Sequence, residues 1–175
     1  MKTKIVLSIC FISLFSTLSA NASTLLKKGD AAISFSYYEA TESAAVMYRQ
    51  MSSDTMAFTA GAASRTHTSA VSGRNYDAIE IIGGLRKYLV TSDLRQFAEA
   101  EMRFVSVDYD GSSSEYKGLG AIVGAYYGVE YFVAKTFSLD GRIGGEYIYV
   151  DFDEDDSTDL SDIPTARIGI NYYWN

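Results

Sequence analysis

The residues best suited to catalysis are His67 and Ser69, which flank Thr68. A histidine can accept the proton of a serine hydroxyl, and the activated oxygen can then attack an acyl carbonyl. His67 is the only histidine of the chain. A hydrolase also needs a group that orients the histidine and an oxyanion site, and the sequence shows neither. The surrounding Ser/Thr-rich stretch predicts a solvated loop, so we expect no catalytic residue, no cofactor and no enzyme activity.

A second candidate site is the acidic run 151–162. Positions 1, 3, 5, 9 and 12 of a twelve-residue calcium loop would be filled by Asp151, Asp153, Asp155, Asp159 and Asp162. Position 6 would be Asp156, where such loops need glycine, and aspartate at position 12 is too short for the usual bidentate contact. Two interpretations remain open. The run binds Ca²⁺ or Mg²⁺ weakly, or it is a solvated acidic loop.

Other charged residues recur at every second position, which is the spacing of one face of a β-strand. The face they share carries Glu80, Arg86, Glu99, Glu101, Arg103, Glu130, Asp140, Arg142, Glu146 and Arg167. Arg65 is a further candidate for this face. On adjacent strands, residues of opposite charge fall at similar positions along the strand direction. Because buried charges persist when they are paired, we expect a network of salt bridges.

Apolar alternation, broken in turn by short and by longer polar breaks, predicts the elements that position these charges. The best count is eight strands, at about 29–38, 44–51, 55–66, 75–89, 95–108, 119–132, 137–152 and 163–174. Tight turns at 52–54, 90–94 and 134–136 alternate with more polar connections at 39–43, 67–74, 110–118 and 153–162. This pattern predicts an all-β fold, an eight-stranded antiparallel up-and-down barrel.

Alternation alone does not decide which face of the barrel points outward. Aromatic residues gather near the strand ends, with Tyr37, Tyr147 and Tyr149 at one end and Tyr131, Tyr172 and Trp174 at the other. Two such girdles are typical of a transmembrane barrel. A soluble periplasmic barrel with its apolar face inward is the alternative. Side chains just fill an eight-stranded interior, so we expect the charges to close the barrel rather than line a channel.

Residues 1–22 predict a signal peptide, with Lys2 and Lys4, an apolar run at 5–18 and a small-residue cleavage site ending at Ala22. Cleavage would leave 23–175 as one barrel domain of 153 residues with 13 basic and 22 acidic side chains, a net charge of −9. Since Cys10 is the only cysteine, we expect no disulfide and no lipid anchor in the mature chain. The negative charge argues against nucleic acid as a partner.

The last ten residues complete the pattern, because Ile168, Ile170, Tyr172 and Trp174 share one face of a strand. With the export signal, the eight strands, the girdles and the interior charges, the chain resembles the small outer-membrane β-barrel superfamily of Gram-negative bacteria. That superfamily includes the OmpA transmembrane domain and the OmpX and Ail type proteins. Its C-terminal strand is the signal read by the barrel assembly machinery, although here Asn175 follows the aromatic residue.

The resemblance implies a monomer in the cell outer membrane, in contact with its lipid, with lipopolysaccharide and with the assembly machinery. Members of the superfamily are adhesins, serum-resistance factors, small-solute channels, structural proteins and a few lipid A enzymes, and the fold does not choose among them. We expect a structural or surface-interaction role with a closed charged interior and short acidic outer loops, and with an unidentified extracellular partner. The alternatives are a narrow small-solute pore and a lipid A-modifying enzyme, because His-x-Ser is similar to the motif of lipid A deacylase barrels.

Overall fold

A computed structural model describes residues 26–38, 43–68, 75–89, 94–110, 115–152 and 158–174. The predicted signal peptide and its cleavage site lie outside these residues. No helix in the described ranges is both long and apolar enough to cross a bilayer.

Eight antiparallel strands form a closed barrel in chain order, which confirms the predicted fold class. The strands are β1 (Ala31–Tyr38), β2 (Ser43–Ser53), β3 (Met56–Thr68), β4 (Asn75–Tyr88), β5 (Leu94–Asp110), β6 (Glu115–Ala134), β7 (Phe137–Phe152) and β8 (Thr158–Trp174). We call the end where β1 begins and β8 ends the proximal end, and the opposite end the distal end.

The predicted long connections at the distal end are wrong, because the strands extend into them. The strand bounds leave 4, 6, 4 and 5 residues between partners at the distal end, and 2, 5 and 2 at the proximal end. β5 and β6 stay paired up to Asp110 and Glu115. At the distal strand ends, polar side chains occupy both faces of the strand, a pattern that predicts a loop. Ladder hydrogen bonds nevertheless continue, because they join backbone groups and do not depend on side-chain polarity once a hairpin is in register.

The distal part of β8 has an edge that β1 does not cover. Within the described residues, the β1–β8 ladder runs from Ala31 opposite Trp174 to Tyr38 opposite Arg167. Among the described strands, residues 158–160 and 163–166 of β8 therefore have ladder partners on β7 only. Pro164, predicted to begin the last strand, instead lies inside this uncovered stretch.

The missing N–H of Pro164 belongs to the uncovered edge. The N–H of Tyr173 donates to Thr136 O at 2.7 Å, so it points to the β7 side of β8. Backbone N–H groups alternate sides along a strand, and positions 173 and 164 differ by nine, an odd number. The nitrogen of Pro164 therefore points toward β1, where a free donor would otherwise invite pairing with another chain.

Burial alternates along the strands and places large apolar side chains outside. Leu119 is 71% exposed and Ile79 is 67% exposed, whereas Ala78 and Glu80, the strand neighbours of Ile79, are buried. Inside, an apolar cluster fills the proximal end, where Leu26 packs with Met51, Tyr88, Phe97, Phe132, Tyr173 and two alanines. A second cluster, Ala78, Val105, Ile122 and Ile148, lies on the β4–β7 side of the interior. Polar and charged side chains fill much of the remaining interior.

Candidate functional site: the charged interior

The structure places all ten side chains predicted for the charged face inside the barrel. Each is at most 8% exposed, and so are three further arginines, Arg49, Arg65 and Arg95. Among the described residues the interior thus holds seven arginines and six carboxylates. Charges this deep require partners, and the ion pairs form in three overlapping groups from the proximal to the distal end.

The proximal group converges on Glu130 of β6. One of its oxygens, Oε1, accepts hydrogen bonds from Ser138 Oγ at 2.5 Å and Tyr173 OH at 2.6 Å. The other, Oε2, accepts from Tyr88 OH at 2.7 Å. Arg49 Nη1 lies 3.7 Å from Oε1, and Arg86 Nη1 lies 3.4 Å from Oε2. Glu130 thereby joins β2, β4, β6, β7 and β8 across the interior.

The middle group is centred on Arg86 of β4. Its Nε and Nη2 donate to Glu99 Oε2 at 2.9 and 2.8 Å, and its Nη1 donates to Asp140 Oδ2 at 3.0 Å. Arg142 Nη1 lies 2.5 Å from the same Glu99 oxygen. The guanidinium carbon of Arg86 also stands 3.6 Å from the centre of the Phe97 ring, a stacked cation–π contact. β4, β5 and β7 are held together at this level.

The third group joins β5 to β8 through Glu101. Arg167 Nη1 donates to its two oxygens at 2.7 and 3.0 Å, and Arg103 Nε lies 3.2 Å from it. Glu146 pairs with both Arg103 and Arg167. Toward the distal end, Glu80 accepts from Arg103 Nη1 at 2.7 Å and from Arg65 Nη2 at 2.7 Å.

Glycines make room for the aromatic ring that lies within this third group. Tyr126 OH donates to Glu146 Oε1 at 2.5 Å and contacts Arg167. A Cβ at Gly124 or Gly144 would collide with the Tyr126 ring, and at Gly144 also with the Ala125 carbonyl. Gly145, the next residue, points outward into open space. Gly144, and not Gly145, therefore allows an aromatic ring to lie against the strand backbone.

Sequence reasoning missed Arg49 and Arg95. Around Arg49 both faces of β2 are apolar or small, with Met47 and Ala45 inside and Val46 and Tyr48 outside, so alternation gives no direction. For Arg95 a signal was available, since it has the same parity as Glu99, Glu101 and Arg103 on β5. Its guanidinium lies over the rings of Tyr88 and Phe132, at 5.7 and 5.0 Å from their centres.

The two other candidate sites fall near the distal end. His67 lies within β3, opposite Tyr76 of β4, so the predicted loop there is wrong, and Ser69 is outside the described residues. Asp151 is the second-last residue of β7 and has an exposed side chain, and β8 already includes Asp159 and Asp162. Asp153 and Asp155 lie outside the described residues. No group of three or more potential metal ligands occurs in the part of the chain that the structure describes.

The four residues of the predicted assembly signal lie on the outer face of β8, along the seam with β1. Ile168 is opposite Tyr37, Ile170 opposite Phe35, and Tyr172 opposite Ile33. The Tyr172 and Trp174 rings stack with centres 6.4 Å apart, and Tyr48 of β2 adds a third ring 6.2 Å from Trp174. This places one aromatic cluster at the proximal end.

Comparison with solved structures identifies the architecture. The barrel is similar to the N-terminal β-barrel domain of OprF from Pseudomonas aeruginosa, with a TM-score of 0.59 and 12% identity over 85% of this chain and 100% of that one. It is also similar to Neisserial surface protein A, NspA, with a TM-score of 0.60 and 14% identity over 83% of this chain and 94% of that one. Both are small outer-membrane barrels. The chain has the small outer-membrane barrel fold. At these identities the likeness shows the fold alone. The sequence matches no protein-family model and no curated protein.

Proposed function

We propose that this chain is a closed outer-membrane barrel with a structural and surface-interaction role. The observation that carries the proposal is the inverted polarity of the barrel. Twenty-five large apolar or aromatic side chains are exposed on the described residues, while thirteen charged side chains are buried inside. Leaving a large apolar side chain in water costs about 1.5–3 kcal/mol, so this surface is unfavourable in water and favourable in lipid. That argues against the soluble periplasmic alternative.

The height of the apolar surface fits a bilayer. On the outer face of β4, the exposed Asp77 and Lys87 enclose a stretch free of charge that contains Ile79, Ile81 and Leu85. Lys87 follows Asp77 by ten positions, so with about 3.3 Å per residue and a strand tilt of about 40° the stretch rises about 25 Å along the barrel axis. This is the height of the apolar band in outer-membrane barrels.

Two of the three proximal connections have two residues, whereas the distal connections have four to six. Because the shortest turns of such barrels face the periplasm, this difference supports an exterior position for the distal end. Exposed acids follow the distal rim at Asp77, Asp108 and Asp151. One exposed cation there, Lys117, lies 3.8 Å from Asp108. The sequence adds further acids in the run 153–157. An acidic rim on short connections supports contact with cations or with a basic extracellular partner, and it gives little surface for enclosing a large ligand.

The interior argues against the narrow-pore alternative. The arginines and carboxylates are bonded across the barrel and nearly inaccessible, so an ion would have to break several buried pairs to pass. We therefore propose that the interior braces the barrel, and that it conducts no solute at rest. The lipid A enzyme has only the His-x-Ser motif in its favour, and Ser69 of that motif lies outside the described residues.

The test is electrophoretic. Protein extracted from the outer-membrane fraction should migrate differently in SDS before and after boiling, because closed membrane barrels resist SDS until heated. Absence of a shift, with the protein in the soluble periplasm, would refute the proposal. Planar bilayers should show no conductance steps with the purified barrel, and mass spectrometry should show unchanged lipid A in cells that express it. Regular conductance steps would instead support the narrow small-solute pore, and deacylated lipid A would support the lipid A-modifying enzyme.

A further inference from the structure

An open cavity of about 310 Å³ lies at the proximal rim of the barrel. It is lined by Lys28, Gly29, Gln50, Met51, Ser52 and Phe58. Phe58 is exposed on the outer face of β3 and pairs with Gln50 of β2 in the ladder. The cavity therefore opens toward the outer, apolar surface, between the first residues of the described chain and the β2–β3 hairpin.

The wall that carries Lys28 is a fixed turn. The N–H of Gly29 donates to Met51 O at 2.9 Å, and the N–H of Met51 donates to Asp30 O at 2.8 Å. Gly29 has a φ of 100°, which glycine adopts without strain. The N–H of Lys28 donates to Asp54 Oδ1 at 3.1 Å, which brings the carboxylate of the β2–β3 turn beside the lysine. Leu26 anchors the turn in the proximal core.

The cavity lies at the depth of lipid headgroups if the barrel spans the membrane as proposed. Phe58 pairs in the ladder with Leu85, two residues before Lys87, the charge that ends the apolar band on β4. Tyr48 and Trp174, the proximal ring pair, lie nearby on β2 and β8. Aromatic rings and lysines at this position mark the boundary between acyl chains and headgroups.

Charge and polarity at the cavity indicate the ligand. Of the lining residues, Lys28 offers an ammonium and Gln50 an amide, both exposed, and Phe58 offers an apolar face toward the acyl chains. Asp54 does not line the cavity, but its exposed carboxylate accepts the Lys28 N–H and therefore stands beside the Lys28 wall. Asp30, the other acid of the turn, accepts the N–H of Lys27 at 2.8 Å. We propose that this cavity binds a phospholipid headgroup that contains both a phosphate and a primary ammonium. Lys28 and Gln50 contact the phosphate, Asp54 accepts from the ammonium, and Phe58 packs on the first methylenes.

This inference rests on the proposed membrane location and names the lipid that occupies the cavity at the proximal rim. A headgroup without the ammonium would leave a phosphate beside Asp54, which is unfavourable. A quaternary ammonium has no N–H to donate to that carboxylate. A phosphatidylethanolamine-type lipid should therefore bind better than phosphatidylglycerol or phosphatidylcholine.

Native mass spectrometry of the full barrel tests this. The protein is exchanged into micelles with equal amounts of phosphatidylethanolamine, phosphatidylcholine and phosphatidylglycerol that carry the same acyl chains. Wild type should retain phosphatidylethanolamine over each competitor by about threefold, the effect of one exposed charge pair. Lys28→Gln should lower retention. Asp54→Asn, which keeps an acceptor for the Lys28 N–H, should remove the preference over phosphatidylcholine. Lys135→Gln, in the β6–β7 turn, is the control and should behave as wild type.

Each outcome has a separate meaning. Equal retention of the three lipids by wild type, or a loss with Lys135→Gln as large as with Lys28→Gln, overturns the headgroup site. Every variant is first checked for a heat-dependent shift in SDS. If the wild type itself lacks that shift, the membrane proposal fails, whereas a shifted barrel without lipid preference refutes the headgroup site alone.

Discussion

The hydroxyl of Tyr173 donates a 2.6 Å hydrogen bond to Glu130 Oε1, and so joins the C-terminal strand to β6 across the barrel interior. Arg49 Nη1 donates to the same hydroxyl at 3.0 Å. Glu130 is fully buried, and its acceptor positions are filled by hydroxyl, amide and guanidinium donors. This carboxylate is thus one of the points at which the last strand is bonded to other strands inside the barrel, together with the Arg167–Glu101 contact.

Removal of that carboxylate should destabilise the barrel strongly. Glu130→Ala leaves the Tyr88, Tyr173 and Ser138 hydroxyls and the nearby arginines without their acceptor, and should lower the free energy of unfolding by about 3–5 kcal/mol. Tyr173→Phe removes one donor and should cost about 1–2 kcal/mol. Urea unfolding in lipid vesicles, followed by the fluorescence of Trp174, measures both. An unfolding midpoint of Glu130→Ala equal to that of wild type would contradict this role.

A variant in which Arg86 and Glu99 swap positions should fold better than a variant in which the charge of only one of them is reversed. The two residues are direct neighbours in the β4–β5 ladder, with bonds of 2.9 and 2.8 Å. Arg86→Glu or Glu99→Arg alone places like charges together in a buried site and should prevent folding into the SDS-resistant form. The double exchange restores the pair and should recover part of that form, because the coupling of two contacting residues is not additive. A double variant that folds no better than the singles would show that the Arg86–Glu99 coupling does not outweigh the contacts of Arg86 with Asp140 and of Glu99 with Arg142, and would contradict this prediction.

Gly144 and Gly145 offer a matched comparison. Gly144→Val would place side-chain atoms against the Tyr126 ring and the Ala125 carbonyl, whereas Gly145→Val points into open space on the outer face. We expect Gly144→Val to lower the SDS-resistant fraction by more than half and Gly145→Val to leave it nearly unchanged. Semi-native gels of the refolded variants measure this fraction. Equal loss in the two variants would show that strand propensity, and not the Tyr126 contact, requires the glycine.

Pro164 should keep the uncovered edge of β8 from pairing with a second chain. Pro164→Thr adds an N–H that points toward the side β1 does not reach, so we expect a rise in dimers or larger species at micromolar concentration. Ala166→Thr lies in the same stretch and leaves the number of N–H groups unchanged, which makes it the control. Light scattering in detergent distinguishes monomer from dimer. If the Pro164→Thr barrel stays monomeric, Pro164 does not prevent pairing of the β8 edge with a second chain.

The buried charged residues were largely predictable because successive side chains of a strand strictly alternate between its two faces. Once Glu99, Glu101 and Arg103 share a face, every second residue of β5 follows, and the same holds for Glu130 on β6. On β2 the alternation does not show which face is the inner one, since apolar residues lie on both faces, for example Met47 inside and Tyr48 outside. The inward direction of Arg49 was therefore not predictable. Which arginine meets which acid depends on register between strands, and that is not contained in the pattern of any single strand.

The strand ends were less predictable for a different reason. Above the apolar band both faces of a strand contact water or polar groups, so Asp108 and Lys117 carry no apolar alternation although they are paired in the β5–β6 ladder. Sequence reasoning therefore ended these strands at the edge of the apolar band. The uncovered edge of β8 is likewise a property of unequal strand lengths, and it became visible with the β1–β8 register.

Depth-dependent fluorescence quenching tests the central claim, that the apolar face meets lipid and the charged face is sealed inside. Trp174 is the only tryptophan, so Trp174→Phe gives a silent background. Two tryptophans are then placed singly on β5, at Phe104, which is 58% exposed, and at Phe97, which is 0% exposed. In vesicles of brominated phospholipid, tryptophan at 104 should be strongly quenched and tryptophan at 97 should keep its emission. Strong quenching at 97 with none at 104, or a protein that stays in the aqueous phase, would contradict the account.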